Sequence, residues 1–495
     1  MSKGSKTVPA VGAMILLAAS LAGCSSEKQT NSSPSPKPSE SANASAAPSA
    51  SPSAQANIYP ENGLSKDSIT LKVGHWENGY GREWLDFAIK KFNAKYPNVK
   101  FEVTSSPKLD TVLSTKIAAN DDNDMFDFFF PRFSGVGDTE RLAEAGKFED
   151  LSDLWKKELP GEKGKTVRSV VSDDFYDAAM LGGKTYRLPV GGYTAGLFFN
   201  ENLFDKNGWN KDPKTWDEFV QLMETIKAKD VIPITFPGVY AGYLTDYTFN
   251  FLPFMLADAS GSFDAYLKNF RSFKMPQFTA PEVKEAWKRM YEFGQKGYFP
   301  NGVAALNHTQ SQMQVLQGKA ALVSTGDWVG NEMKDSTPQD FKWGFMAIPA
   351  TNDPNNTIYV HTGVTDVGYV IWKNKPDLNK KWAKEFMLSL YDFEVQQFLA
   401  EKTGVFPGRL DYGADPARLE KMQAAPKAVM AYAQRHKVKY LSLRRDVSFT
   451  SPSAAQASKT LSEAITGIAS GKKDPQPVLE EVEKLYTKAL EEEKK

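Results

Sequence analysis

Ile69-Thr70-Leu71-Lys72-Val73 alternates apolar and polar side chains, the two-residue period of a β-strand. Trp84, Phe87, Ala88 and Phe92 follow at helical spacing, in a segment that stops at Tyr96-Pro97. Val99, Phe101 and Val103 alternate again, and a second helical stretch covers Lys108 to Asn120. Met125 to Phe130 is apolar except for Asp127, the pattern of a strand buried on both faces. Strand, helix, strand, helix, strand in this order predicts an α/β fold with a largely parallel sheet.

Open α/β sheets bind ligands beyond the carboxyl ends of their strands. That rule selects His75, Trp76, Glu77 and Tyr80 after the first strand, and Pro131, Arg132 and Phe133 after the third. Aromatic and charged side chains in these places suit a polar ligand with apolar faces.

Upstream of this unit, the chain starts as an export signal. Lys3 and Lys6 precede the apolar run Val11 to Leu21, which is shorter than the ~20 residues of a membrane-spanning helix. Leu21-Ala22-Gly23-Cys24 resembles the lipobox of bacterial lipoproteins. The resemblance implies cleavage after residue 23 and a diacylglyceryl group on the thiol of Cys24. The alternative is a plain secretory signal that happens to end near a cysteine. Residues 24–57 are Ser, Pro, Ala, Asn and Lys with almost no large apolar side chain, which predicts a disordered spacer. Cys24 is the only cysteine, so the folded part has no disulfide.

Sixty basic residues balance sixty acidic ones, which argues against a polyanion-binding surface and gives no support for nucleic acid as a partner. The stretch beyond the spacer is about 430 residues, too long for one ordinary core, and predicts two domains. Thr215 followed by Glu218 has the spacing of a capping box. Trp382, Ala383, Phe386 and Leu390 predict one amphipathic helix over Lys380 to Ala400. The last seventy residues or so read as helical, with an apolar stripe through Leu461, Ile465 and Ile468.

Four further landmarks carry a resemblance: Gly183-Lys184-Thr185-Tyr186-Arg187-Leu188-Pro189 running on to Gly196-Leu197-Phe198-Phe199-Asn200; Lys214-Thr215-Trp216-Asp217-Glu218-Phe219; Gly318-Lys319-Ala320-Ala321-Leu322 ending in Gly326-Asp327-Trp328; and Gly404-Val405-Phe406-Pro407. In this order and spacing they resemble family 1 of the bacterial extracellular solute-binding proteins, which includes the maltose-binding proteins. Asn123-Asp124-Met125-Phe126-Asp127 departs from the family's Pro-Asp before the third strand, and Phe198-Phe199 replaces its usual aromatic pair.

The resemblance implies a two-lobed periplasmic-binding-protein-like fold of type II, with the ligand in a cleft between hinge-linked lobes. By analogy one lobe is 68–190 plus 361–410 and the other is 191–360 plus 411–495. It further implies a monomeric receptor that delivers a carbohydrate, most simply an oligosaccharide, to the membrane permease of an ATP-driven importer. Membrane contact is then through the lipid anchor alone.

Sugars present hydroxyl rims and apolar faces, so a site needs flat aromatics together with carboxylate, amide or guanidinium groups. Trp76, Tyr80, Tyr193, Tyr243 and Trp328 are the candidate stacking residues. Glu77, Arg132, Asp246, His361 and Thr362 are the candidate polar contacts. Tyr193 and Tyr243 read equally well as surface or hinge residues. Trp84, Trp216, Trp287 and Trp382 lie inside amphipathic patterns and are expected in the core.

Signals for chemistry are weak. Gly182-Gly183-Lys184-Thr185 fails as a phosphate loop because Ala178 stands at the first glycine position. No serine stands in a nucleophile-elbow pattern, and His75, His308, His361 and His436 lack metal-ligand spacing. No catalytic residue, metal or cofactor is expected. The rivals are a non-sugar solute on the same fold, a surface glycoside hydrolase with paired carboxylates, and a sensor subunit.

Overall fold

The computed structural model describes residues 57–77, 80–133, 138–363 and 367–494. Cys24, the signal and most of the spacer lie outside them. Among the described residues no helix is long and apolar enough to cross a membrane.

Among the described residues two six-stranded sheets, apart from two short two-stranded ones, organise the chain with twelve strands. In chain order they are β1 (Ile69–Trp76), β2 (Val99–Ser106), β3 (Phe128–Phe129), β4 (Leu188–Gly192), β5 (Thr194–Asn200), β6 (Ile232–Thr235), β7 (Ala320–Gly326), β8 (Trp343–Met346), β9 (Ile358–Thr362), β10 (Val367–Ile371), β11 (Phe406–Pro407) and β12 (Val438–Leu441). The first sheet has the order β11-β4-β10-β3-β1-β2. The second has the order β6-β7-β5-β9-β12, with β8 also beside β5.

β1 pairs in parallel with β2 and β3, as the alternation around Ile69 predicts. Within the first sheet the expectation of a largely parallel sheet does not hold beyond these three strands, while in the second β6 with β7 and β9 with β12 are parallel pairs. β10 runs antiparallel to β3 and β4, and β11 antiparallel to β4. The reason is connectivity: β4, β10 and β11 come from chain that returns from the second sheet or leaves for it, so their direction is not set by a βαβ crossover. The second sheet is mixed as well, with β5 antiparallel to β7, β8 and β9.

β4 ends at Gly192 in the first sheet and β5 starts at Thr194 in the second, so Tyr193 is the crossing residue. β9 ends at Thr362 in the second sheet and β10 starts at Val367 in the first. The boundaries read from the sequence at 190/191 and 360/361 fall inside β4 and β9. A third crossing follows β11. Its anchor is Arg409, whose guanidinium bonds to Glu162, Asp411 and the Tyr391 carbonyl.

Each sheet sits in its own apolar core. One contains Leu71, Val73, Phe128, Phe129, Trp84 and Trp382; the other contains Phe198, Phe219, Trp287, Leu322 and Ile465. Trp84, Trp287 and Trp382 are buried and Trp216 is half-buried against the second core. Thr215 caps the helix Trp216–Lys227 by accepting from Glu218 N at 3.2 Å. The Glu218 carboxylate reaches back to Lys214 N at 2.6 Å rather than to Thr215, so the box closes one residue early. The helix expected over 380–400 is two helices, Asp377–Ser389 and Phe393–Thr403. Asp392 starts the second by accepting from Glu394 N and Val395 N, which a continuous helix would not permit.

Candidate functional site

The carboxyl ends of β1 and β3 face the end of β7 across a cavity of about 130 Å³. Trp76 ends β1 of the first sheet, with Tyr80, Phe130 and Arg132 just beyond its strands. Tyr193 comes from the crossing, and Trp328 from just after β7. The Arg132 guanidinium lies over the Trp76 ring at 4.4 Å, a cation–π contact that leaves its N–H edge for other partners. Tyr80 meets Trp76 edge-on, with centroids 5.7 Å apart.

Trp328 owes its position to the residues before it. Gly326 lets the indole fold back over the backbone; a Cβ there would lie 2.1 Å from the ring. Asp327 accepts from Thr194 N at 2.8 Å, and its own N–H donates to the Thr194 carbonyl at 3.0 Å. This double link ties the end of β7 to the start of β5. Burial pushes the Asp327 carboxyl well above the usual carboxylate range.

Tyr193 packs edge-on against Trp328 at 4.8 Å, and its hydroxyl meets His361 Nε2 at 3.3 Å. Its carbonyl accepts from Thr362 Oγ1 at 3.1 Å and from Gly363 N at 3.0 Å. Gly363 leaves room for the tyrosine ring, since a Cβ there would lie 2.0 Å from Cε1.

The short helix Gly242–Tyr247 supplies a second wall. Tyr243, Asp246 and Tyr247 stand three and four residues apart and so share a helical face. Ser324 Oγ on β7 donates to the Tyr243 carbonyl at 2.6 Å and fixes this helix to the sheet. Tyr243 and Tyr247 meet edge-on at 4.6 Å. His308 stacks on Tyr240 at 4.4 Å and touches Tyr243; its Nε2 is buried without a hydrogen-bond partner. Burial holds the His308 imidazole below its ordinary pKa, so it stays neutral at pH 7. Glu332 accepts from Gln312 Nε2 at 2.7 Å, and burial raises its carboxyl.

A second cavity of about 440 Å³ adjoins the first and shares Tyr193 and Tyr247 with it. Asp246, Asn250, His361 and Arg445 line it, together with rings that include Tyr266 and Phe270. Asp246 is open to the water in the cavity, yet protein surrounds it on most sides. That loss of bulk water pushes its carboxyl up to about 6, against hydrogen bonds from Thr245 and Asn250 that favour ionisation.

The structure therefore groups Trp76, Tyr80, Arg132, Tyr193, Tyr243 and Trp328 on one cavity, and places Asp246 and His361 with Tyr193 on the next. Pro131 and Phe133, selected by the strand-end rule, line neither cavity, and three further residues singled out from the sequence lie elsewhere. Glu77 is not on either wall; it accepts from Ser105 Oγ at 2.6 Å. The Thr362 hydroxyl is buried and bonded to the Tyr193 carbonyl. His75 is a core residue, held between the Tyr369 hydroxyl and the Gly81 carbonyl at 2.9 Å each, and burial lowers its pKa to about 4. Phe130, Tyr247, His308 and Glu332 line the first cavity without having been singled out. Tyr247 had a signal, one helical turn beyond Tyr243.

A larger cavity of about 810 Å³ lies between the loop 61–64 and the helix Asp377–Ser389. It is lined by lysines and carboxylates with no aromatic ring, and so lacks a stacking surface. Among the described residues no cluster of His, Cys, Asp or Glu is placed to hold a metal.

Known proteins resemble this arrangement. Residues 77–402 match the family described as bacterial extracellular solute-binding protein. The multiple sugar-binding protein of Streptococcus mutans is 25% identical over 270 residues, 54% of this chain and 59% of the relative. The melibiose/raffinose/stachyose-binding protein of Bacillus subtilis is 26% identical over 313 residues, 62% of this chain and 66% of the relative. The match thus spans less than two thirds of either relative's own length. In three dimensions, a chitin oligosaccharide binding protein aligns over 86% of this chain and 99% of its own, with a TM-score of 0.65 and 23% identity. The solute-binding protein RafE in complex with raffinose aligns over 85% and 100%, with a TM-score of 0.63 and 20% identity. These likenesses show the fold, a two-domain α/β binding-protein architecture of type II. With its family match running over more than half of the sequence, the chain belongs to the bacterial extracellular solute-binding proteins.

Proposed function

We propose that this protein captures an oligosaccharide between its two sheets and hands it to the permease of an ATP-driven importer. The observation that carries the reading is the aromatic cage around the first cavity: Trp76, Tyr193, Tyr243, Tyr247 and Trp328, interleaved with Arg132, His308 and Glu332. Flat rings cover the C–H faces of a pyranose, and the interspersed donors and acceptors take its hydroxyl rim. The first cavity alone is smaller than the ~300–1,000 Å³ of ordinary ligand sites, whereas the two adjoining cavities together fall within that range. More than one sugar unit is then accommodated. The names of the relatives, which mention several sugars, support the same class.

In this reading the two sheets are two lobes that hinge at Tyr193 and its neighbouring crossings, so the lobe boundaries lie at Tyr193 and after Thr362 rather than at 190/191 and 360/361. Ligand favours the closed arrangement by its differential affinity for it. Glu77 and Thr362 then act behind the ligand contacts, as supports of β2 and of Tyr193. The protein works as a monomer on the extracytoplasmic face of the membrane, held there by a lipid on Cys24, with residues 24–57 as its spacer.

A thermal-shift and calorimetric screen against neutral and charged mono- and oligosaccharides, with amino acids, peptides and metal chelates alongside, tests this. Native-state binding raises the melting midpoint by mass action. An oligosaccharide that shifts the midpoint is the expected result. A shift produced only by amino acids, peptides or metal chelates overturns the sugar assignment.

A further inference from the structure

The second cavity holds a charge that the first does not explain. Arg445 follows β12 and lines that cavity, half-buried. Its Nη1 donates to two neutral acceptors, the Phe270 carbonyl at 2.6 Å and Gln277 Oε1. Phe270 and Phe273 flank its guanidinium plane at 3.6 and 4.6 Å. Among the described residues no carboxylate stands within ion-pair distance of it. The nearest in sequence, Asp446, pairs with Arg444 instead. A guanidinium largely withdrawn from water is normally matched by a carboxylate or phosphate. Lack of solvent here lowers the Arg445 pKa to about 10, still far too high for the group to be neutral.

The rest of the wall suits a sugar ring. Tyr247 and Tyr266 line it with rings, and Asn250 offers an amide. Asp246, the carboxylate on this wall, is held by Asn250 Nδ2 at 2.8 Å and makes no ion pair with Arg445.

We propose that Arg445 receives the carboxylate of a uronic acid unit, so that the second cavity is an acidic-sugar subsite. The inference rests on the oligosaccharide reading above and narrows it. The planar fork of a guanidinium matches a carboxylate in a way that a hydroxyl rim does not, and its free Nη2 and Nε edge is the side available to the ligand. A neutral sugar leaves the charge on Arg445 unmatched once closure expels water.

Calorimetry on the full chain tests this with two acidic disaccharides, digalacturonate and dimannuronate, and their neutral counterparts galactobiose and mannobiose. At least one acidic member binds about tenfold or more tightly than its neutral counterpart, a preference that weakens with added salt. Arg445→Gln removes that preference and Arg445→Lys retains part of it, with the melting midpoint of each variant measured first. If Arg445→Gln does not fold, the wild-type ratio and the Arg445→Lys ratio decide alone. Neutral disaccharides that bind as tightly as acidic ones, or more tightly, overturn the acidic subsite and leave the oligosaccharide reading standing. Binding of no saccharide in this set or in the wider screen overturns both.

Discussion

Arg444 Nη1 donates to the Ala178 carbonyl oxygen at 3.0 Å, bridging chain that belongs to different sheets. Arg444 follows β12 of the second sheet, next to Leu443, which packs on the second core. Ala178 ends the helix Asp173–Ala178, whose Phe175 packs in the first core. The same nitrogen also reaches the carbonyls of Asp177 and Met180, and Asp446 holds the far side of the guanidinium at 3.4 Å.

That bridge is outside the cavity, so its loss separates interlobe geometry from ligand contact. Arg444→Ala lowers stability by about 1.5–3 kcal/mol, the range for hydrogen bonds to charged groups. It also broadens the distance distribution between spin labels placed on the two lobes. An unchanged distribution would show that Arg444 does not restrain the lobes.

Trp328 is packed by Tyr193 on one side and by its own Gly326 on the other, which holds the indole in one orientation. Trp328→Ala weakens saccharide binding by about 1–3 kcal/mol, as expected for removal of a preorganised aromatic anchor. Titration calorimetry on a variant with a preserved circular dichroism spectrum reads this out. Wild-type affinity in such a variant removes Trp328 from the site.

Gly363 is a more local probe. An added Cβ collides with the Tyr193 ring at 2.0 Å and must displace it from Trp328 and His361. Gly363→Ala therefore weakens binding without touching ligand itself. Tyr193→Ala in the same background adds little further loss, because the two changes act on one ring and are not additive. A double-mutant cycle with fully additive losses contradicts the coupling.

Asp246 yields a pH signature. Its folded carboxyl is raised to about 6 from the ordinary 3.8, so the folded state holds the proton more tightly than the unfolded chain does. Below about pH 4 both states are protonated and the shift has no effect. As pH rises toward about 6 the ionised form penalises folding, and above that the penalty is complete. Asp246→Asn thus raises the melting midpoint at pH 7 and leaves it unchanged near pH 3.5. The gain stays below about 1 kcal/mol because cavity water reaches the carboxylate. A midpoint that falls at pH 7 means that the carboxylate is paired rather than strained.

Several of these residues were legible from periodicity. The β1–β2–β3 core of the first sheet follows from alternation around Ile69, and the strand-end rule leads directly to Trp76 and Arg132. The same rule also selected His75 and Glu77. It says where a strand ends but not which way the last side chains point, and His75 turns into the core beneath Tyr369. His308 was invisible for another reason: a cavity wall is assembled from segments far apart in sequence, and its segment carries no pattern that differs from an ordinary amphipathic turn.

Alternation, helical spacing and motif order were enough to establish two α/β units, their family, the apolar tryptophans and the position of Trp328 after a buried strand. These are local properties, set by backbone period and by which side chains must leave water. The direction of β4, β10 and β11, the crossing at Tyr193, the contacts of Tyr193 with His361 and Trp328, and the place of Arg445 on the second cavity came from the folded chain alone. Each depends on which remote segments are brought together, and the same residue types satisfy local rules equally well in other pairings. The cavity exists because three crossings return the chain between sheets, a long-range arrangement that no single stretch of sequence encodes.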